Sequence, residues 1–234
     1  FTYIMIRVEN LTKTFDSKTI LEDINFTVNH GEIAMIYGLN GVGKTTLIKC
    51  MLGFIPFDKG IVEIKPSTKS EIGLYLSHDM LIEKLTISEY LFIAGILKGL
   101  SKEYIKNFII EYAKRLRFEE HLKSYISKIS FGTKSKVLLT ASLINKPKTL
   151  ILDEPFIGLD LISIKEISKI LLETKKQGCS IFISSHQVDI VDDIIDKIII
   201  LKEKRIVFEK SSEDFIKEGG NKNKLSETII SYLS

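Results

Sequence analysis

The stretch GLNGVGKTT, Gly38 to Thr46, fits the phosphate-binding pattern G-x-x-x-x-G-K-[ST] at every fixed position. The preceding residues EIAMIY, Glu32 to Tyr37, form a short and mainly apolar run, which predicts a buried strand. The following residues TTLIKCMLG predict a helix. Because a strand precedes the pattern and a helix follows it, a phosphate-binding loop is favoured over a surface turn.

The residue types of this loop suit the binding of nucleotide phosphates. Gly38, Gly41 and Gly43 allow a tight turn that aims successive backbone N–H groups at phosphate oxygens. A helix that begins near Lys44 adds the positive end of its dipole. We expect Lys44 to reach the β- and γ-phosphates and the Thr45 hydroxyl to hold Mg²⁺.

A second candidate site is the acidic end of TLILDEP, Thr149 to Pro155. A buried strand that ends in Asp–Glu places Asp153 at the carboxyl edge of a sheet, where ligands bind in open α/β folds. There Asp153 can orient the Mg²⁺ shell, while Glu154 faces the γ-phosphate and polarises a water molecule. A solvated turn would explain this stretch alone, but the phosphate loop in the same chain makes that explanation improbable.

Together these motifs resemble the ATP-binding subunit of ATP-binding-cassette (ABC) transporters, and the resemblance covers nearly the whole chain in the family's order. The matching stretches are Phe15 in LTKTF as the adenine-stacking aromatic, GLNGVGKTT as Walker A, ISFGTKSK (Ile129–Lys136) as the signature, TLILDE as Walker B, GLD (Gly158–Asp160) as the D-loop and SSH (Ser184–His186) as the switch histidine.

The resemblance implies ATP and Mg²⁺ as cofactors and assigns three groups of site residues. The catalytic residues are Glu154, His186 and Ser77, and the Mg²⁺ residues are Thr45, Asp153 and Ser77. The residues expected to contact nucleotide are Phe15, Gly38, Asn40, Gly41, Gly43, Lys44, Thr45, Thr46, Ser130, Gly132 and Asp160.

The signature departs from the family's usual L-S-G-G-Q, because Ile129 to Thr133 read ISFGT. Ser130 and Gly132 are retained, and the resemblance implies that they contact the γ-phosphate of a partner's ATP. The bulky third residue and the missing glutamine are closer to the signatures of drug, peptide and bacteriocin exporters than to those of nutrient importers.

A second departure lies in EIGLYLSHD, Glu71 to Asp79. Ser77 occupies the place where the family usually has glutamine or sometimes glutamate. Serine is short, so its contact with Mg²⁺ or the attacking water would need an added water or help from His78.

Composition agrees with one compact ATPase unit of 234 residues, 44% of them apolar. The net charge of +3 comes from lysines interspersed with acids, which argues against a nucleic-acid partner. The apolar stretches are shorter than the ~20 residues needed to span a bilayer, and no secretory signal is visible. Cys50 and Cys179 fall in core-like contexts, which favours a reduced compartment.

Alternating strand and helix patterns predict an α/β fold, a P-loop NTPase core with a mostly parallel sheet, a small N-terminal antiparallel β element and a helical lobe. We expect one domain, with an ATP-binding core at about 1–85 and 146–220, a helical lobe at about 86–145 and a tail at 221–234. The tail is either a short amphipathic helix or frayed. The strand and helix candidates include Ile4–Val8, Glu22–Val28, Ile61–Ile64, Ile72–Leu76 and Val188–Ile195.

The expected function is ATP hydrolysis that powers transport by a separate transmembrane permease, with export of a drug, peptide or lipid-like substrate. The resemblance implies a head-to-tail homo- or heterodimer of ATPase domains at the cytoplasmic face of the cell membrane. A nucleotide-gated regulatory subunit with little hydrolysis is the alternative. Translation-type ABC proteins resemble two cassettes in one chain, and chromosome-type ones carry a long heptad insert, so both classes fit poorly.

Overall fold

The computed structural model describes residues 3–66, 68–187, 194–217 and 225–233. Most of the expected element Val188–Ile195 lies outside these ranges, as do residues 221–224 of the tail.

A six-stranded sheet, with strand order β5-β6-β7-β3-β8-β9, forms the centre of the fold. Its strands are β3 (Ile33–Tyr37), β5 (Ile72–Tyr75), β6 (Thr149–Asp153), β7 (Ser180–Ser185), β8 (Lys197–Lys202) and β9 (Arg205–Ser211). Neighbouring strands are parallel except β8 and β9, which are antiparallel. Every residue of β3, β6 and β7 is buried, as expected when both faces of a parallel sheet are covered. The predicted α/β fold class is therefore confirmed.

A smaller antiparallel sheet has the strand order β2-β1-β4. It consists of β1 (Ile4–Phe15), β2 (Lys18–Asn29) and β4 (Lys59–Ile64). The first two strands are longer than predicted and meet in a two-residue turn at Asp16 and Ser17, whose φ angles are 43° and 69°. Positive φ at both central residues is the geometry of a type I′ hairpin. This hairpin places Phe15 at the end of the sheet.

Seven α-helices are present in the described ranges: α1 (Lys44–Met51), α2 (Ile87–Leu97), α3 (Lys102–Arg115), α4 (Phe131–Leu143), α5 (Leu161–Lys176), α6 (Ser212–Lys217) and α7 (Leu225–Leu233). Five polar side chains cap helix N-termini by accepting a backbone N–H bond: Thr86, Ser101, Ser130, Asp160 and Ser211. In the parts of the chain described, no helix combines the length and the apolar character needed to cross a membrane.

Two apolar clusters cover the faces of the central sheet. One joins residues of β3, β6 and β7 to α2, α3, α4 and α5, with Leu91, Phe108 and Leu150 among its members. The other packs α1 and the antiparallel sheet onto the opposite face, where the Phe26 and Phe182 rings stack at 5.3 Å. Buried residues of the helices and of the sheet belong to one cluster, so the packing does not separate the two parts. The predicted division into an ATP-binding core and a helical lobe therefore stays a prediction.

Candidate functional site

The phosphate loop connects β3 to α1 at the carboxyl edge of the sheet. Gly43 has a φ of 118°, and a Cβ on Gly38 would lie 2.8 Å from the carbonyl oxygen of Leu201, so both positions require glycine. Lys44 is 6% exposed, and its Nζ donates hydrogen bonds to the carbonyls of Gly38 (2.6 Å) and Leu39 (3.3 Å). The Lys44 side chain thus folds back and bonds the first two residues of its own loop.

Asp153 lies beside the start of α1 and accepts hydrogen bonds from two hydroxyls. Thr45 Oγ1 donates to Asp153 Oδ2 at 2.7 Å, and Ser184 Oγ donates to Oδ1. The carboxylate is 7% exposed. A hydroxyl and a carboxylate are the oxygen donors that Mg²⁺ binds alongside phosphates, so Thr45 and Asp153 fit this ion.

Glu154 directly follows β6 and contacts one residue that follows β7 and one at the end of the phosphate loop. Its carboxylate lies 3.1 Å from Lys44 Nζ and 2.9 Å from His186 Nδ1. Its φ is 55°, a region that is costly for residues other than glycine, and its N–H donates to Ser184 Oγ at 3.0 Å. Backbone strain held by surrounding bonds is often found at functional sites. The structure thus brings the predicted residues Lys44, Glu154 and His186 into one cluster.

A cavity of about 330 Å³ lies against this cluster and the antiparallel sheet. Phe15 is 41% exposed at the cavity, and Lys13 Nζ lies 4.5 Å from the centre of its ring. The cavity therefore places an exposed aromatic ring beside the phosphate loop. Its lining residues are Phe15, Ile20, Asn40, Gly41, Gly43, Lys44, Thr45, Thr46 and Glu154.

Four predicted nucleotide contacts, Gly38, Ser130, Gly132 and Asp160, do not line this cavity. Ser130 caps α4 by accepting from Thr133 N at 3.2 Å, and Asp160 caps α5 by accepting from Ser163 N at 2.8 Å. The latter bond lowers the pKa of the Asp160 carboxyl. Gly132 packs so closely that a Cβ would lie 2.8 Å from the carbonyl oxygen of Gly158. Their contact with nucleotide stays a prediction.

Ser77 is exposed and follows β5, and its hydroxyl donates to Asp79 Oδ2 at 3.4 Å. Among the described residues it makes no hydrogen bond with Thr45 or Asp153. The role of Ser77 in Mg²⁺ binding or catalysis therefore stays a prediction.

Sequence reasoning missed the part played by Ser184. This residue is the register partner of Asp153 on the adjacent strand, and it bonds both the Asp153 carboxylate and the Glu154 backbone. The first of the two serines that close the run SIFISS was the available signal. Its importance depends on the pairing of β6 with β7, which the local sequence does not specify.

Comparison with known proteins places this chain in a family. A family model described as ABC transporter matches residues 21–157, more than half of the chain. The chain belongs to the ABC transporter family. The resemblance drawn from its motifs is confirmed. ATP-binding domains of this family bind ATP, generally hydrolyse it and work with separate transmembrane components.

Relatives and solved structures match nearly the whole of this ABC chain. An uncharacterized ABC transporter ATP-binding protein of Methanocaldococcus jannaschii is 34% identical over 213 residues, 91% of this chain and 80% of that protein. The lantibiotic transport ATP-binding protein SrtF of Streptococcus pyogenes is 30% identical over 211 residues, 88% of this chain and 90% of that protein. A solved ATP-binding subunit of an ABC transporter has a TM-score of 0.87 and 27% identity, and covers 98% of this chain and 99% of that one.

Proposed function

We propose that this chain hydrolyses ATP with Mg²⁺ and that the hydrolysis powers a separate transmembrane permease. The observation that carries the proposal is the convergence of Lys44, Glu154 and His186 at the carboxyl ends of β3, β6 and β7. A cation for phosphates, a carboxylate for water and a histidine beside that carboxylate are the groups that phosphoryl transfer to water requires.

Each residue of the cluster has a distinct part in this proposal. Lys44 neutralises β- and γ-phosphate charge, and Thr45 and Asp153 would hold Mg²⁺, which would supply further positive charge beside the phosphates. Phosphate oxygens compete with Glu154 for Lys44, because they carry greater negative charge. Glu154 then accepts a hydrogen bond from the attacking water, and the 2.9 Å contact with His186 Nδ1 keeps its carboxylate oriented.

The proposed assembly is a head-to-tail dimer of ATPase domains, formed by two copies or with a second ATPase subunit. Ser130 supports this proposal because it lies at the start of α4 and is absent from the lining of the cavity that contains Lys44. A second chain can therefore supply the serine to the far side of the γ-phosphate. The dimer would close with ATP and open after hydrolysis, at the cytoplasmic face of the membrane.

The proposed direction of transport is export, and the proposed substrate is a peptide or a drug- or lipid-like molecule. The ISFGT signature supports it, and so does the 30% identity with a lantibiotic transport protein.

Replacing Glu154 by glutamine tests the ATPase proposal. Glutamine has nearly the same shape but accepts protons poorly, so turnover should fall by roughly 10² or more while ATP binding is retained. Steady-state phosphate release and binding of a fluorescent ATP analogue measure the two quantities. Glu103→Gln, on the exposed side of α3, is the matched control and should keep full activity.

Two outcomes would contradict the proposal in different ways. Near-normal turnover of Glu154→Gln would contradict the catalytic role of this glutamate. If the unaltered chain with its permease released phosphate no faster than the variant, the regulatory alternative would be favoured. One observation supports that alternative: the Ser77 hydroxyl is directed to Asp79.

A further inference from the structure

The two places at which this sequence departs from the family pattern lie next to each other in the fold. His78 directly follows Ser77, and Phe131 is the bulky third residue of the signature. Their ring centres are 4.1 Å apart, with a 52° angle between the planes. About half of Phe131 is exposed, and the His78 ring contacts the other part.

A buried hydroxyl on α4 strengthens this contact. Ser135 is fully buried and donates to the carbonyl oxygen of Phe131 at 3.2 Å, one turn back along the helix. His78 Nε2 lies 3.0 Å from the same hydroxyl. When Ser135 gives its one hydroxyl hydrogen to Phe131, the tautomer of His78 with its hydrogen on Nε2 can donate to Ser135.

The cluster extends to the turn that follows β6. A Cβ on Gly158 would lie 2.6 Å from Cδ1 of Phe131, so the ring lies directly on this glycine. Gly132 approaches the carbonyl oxygen of the same glycine closely, as described above. The loop after β5, the first turn of α4 and the turn before α5 are therefore in contact through two rings and one hydroxyl.

His78 does not belong to the cavity that contains Lys44 and Glu154. Within the ranges that the structure describes, its hydrogen bond goes to Ser135 and not to Thr45, Asp153 or Glu154. The position of His78 therefore does not suit proton transfer or metal binding. It suits a contact that fixes where α4 begins.

We propose that His78 is a positioning residue that, with Phe131 and Ser135, holds the signature turn so that Ser130 meets the ATP of a second chain. This inference rests on the proposed function, because it concerns the composite site of the dimer. It accounts for both departures together: the short Ser77 leaves its neighbour free to turn to α4, and the bulky Phe131 gives that neighbour a ring to pack against.

The test measures ATP-dependent dimerisation in the Glu154→Gln background, where ATP is not consumed. Adding His78→Ala should raise the dimer dissociation constant about tenfold, since it removes a partly buried hydrogen bond and a ring contact. The affinity of the isolated chain for ATP should not change. His78→Gln should restore most of the dimerisation, because its amide N–H can donate to Ser135. His121→Ala, a partly exposed histidine between α3 and α4, is the matched control.

A double-mutant cycle separates positioning from a loss of stability. Phe131→Gly restores the family's usual third residue and removes the ring. If the two rings act together, the effects of His78→Ala and Phe131→Gly on dimerisation should not add. Melting temperatures of all variants show whether folding is affected.

Each outcome has a definite meaning. Unchanged dimerisation with His78→Ala, fully additive effects in the cycle, or a lower melting temperature without weaker dimerisation would each overturn the positioning role. If the Glu154→Gln parent failed to dimerise with ATP, that result would contradict the composite site. The proposed dimer and this inference would then both be wrong.

Discussion

Lys44 and Glu154 are both largely buried, with 6% and 18% of their side chains exposed. An unpaired charge in such surroundings is costly, so each compensates the other in this structure. In the proposed function, the phosphates of ATP would replace Glu154 as the partner of Lys44, and Glu154 would stay paired with His186. The ion pair would therefore stabilise the site without ATP and free Glu154 to contact water when ATP is bound.

Replacing Lys44 by alanine should weaken ATP binding about tenfold or more. The variant removes a desolvated, charge-assisted contact, worth roughly 1.5–3 kcal/mol, from the β- and γ-phosphates. Isothermal titration with ATP measures the change. Lys102→Ala, at the exposed start of α3, should bind ATP like the unaltered chain. Unchanged affinity in the Lys44 variant would contradict the phosphate-loop assignment.

Cys179 should resist alkylation in the folded protein. Burial raises the pKa of its thiol to about 12, because the charged thiolate would lose hydration. At pH 8, four units lower, only about one thiol in 10⁴ is the reactive thiolate. Iodoacetamide labelling followed by mass spectrometry should show little modification before denaturation and full modification after it. Rapid labelling of the native chain would contradict the buried position of this residue.

The strands that carry the site could be predicted from the sequence, because β3, β6 and β7 are short apolar runs that end at chemical motifs. The full length of β1 could not be predicted, since its pairing with β2 extends it beyond its apolar segment. The turn at Asp16 and Ser17 follows from that pairing and could not be predicted either. The bond between His78 and Ser135 joins residues distant in sequence, so only the packing of α4 against the loop after β5 reveals it.

Ser130 caps the first turn of α4. Ser130→Ala removes the cap of this helix, at a cost of about 1 kcal/mol in unfolding free energy, and should abolish ATP-dependent dimerisation and hydrolysis. Ser101 caps α3 in the same way, by accepting from Tyr104 N at 3.2 Å. Ser101→Ala should therefore lose similar stability in urea denaturation and keep its ATPase activity. Equal ATPase activity in the two variants would contradict a catalytic part for Ser130.

In the proposed dimer, each chain would supply half of each ATPase site. The ends of β3, β6 and β7 bring together the residues proposed to contact phosphate, metal and water, while Ser130 lies at the start of α4 and outside the cavity of its own chain. Two chains that exchange these halves would form two composite sites. Each site would combine Lys44 of one chain with Ser130 of the other.

The most direct test of the shared site mixes two inactive variants, Lys44→Ala and Ser130→Ala, and measures steady-state ATPase activity. In a mixed dimer one composite site carries both defects, while the other pairs an intact Lys44 with an intact Ser130. The shared-site account predicts that the mixture recovers part of the activity that neither variant shows alone. A mixture as inactive as its two parents, at concentrations where mixed dimers form, would contradict it.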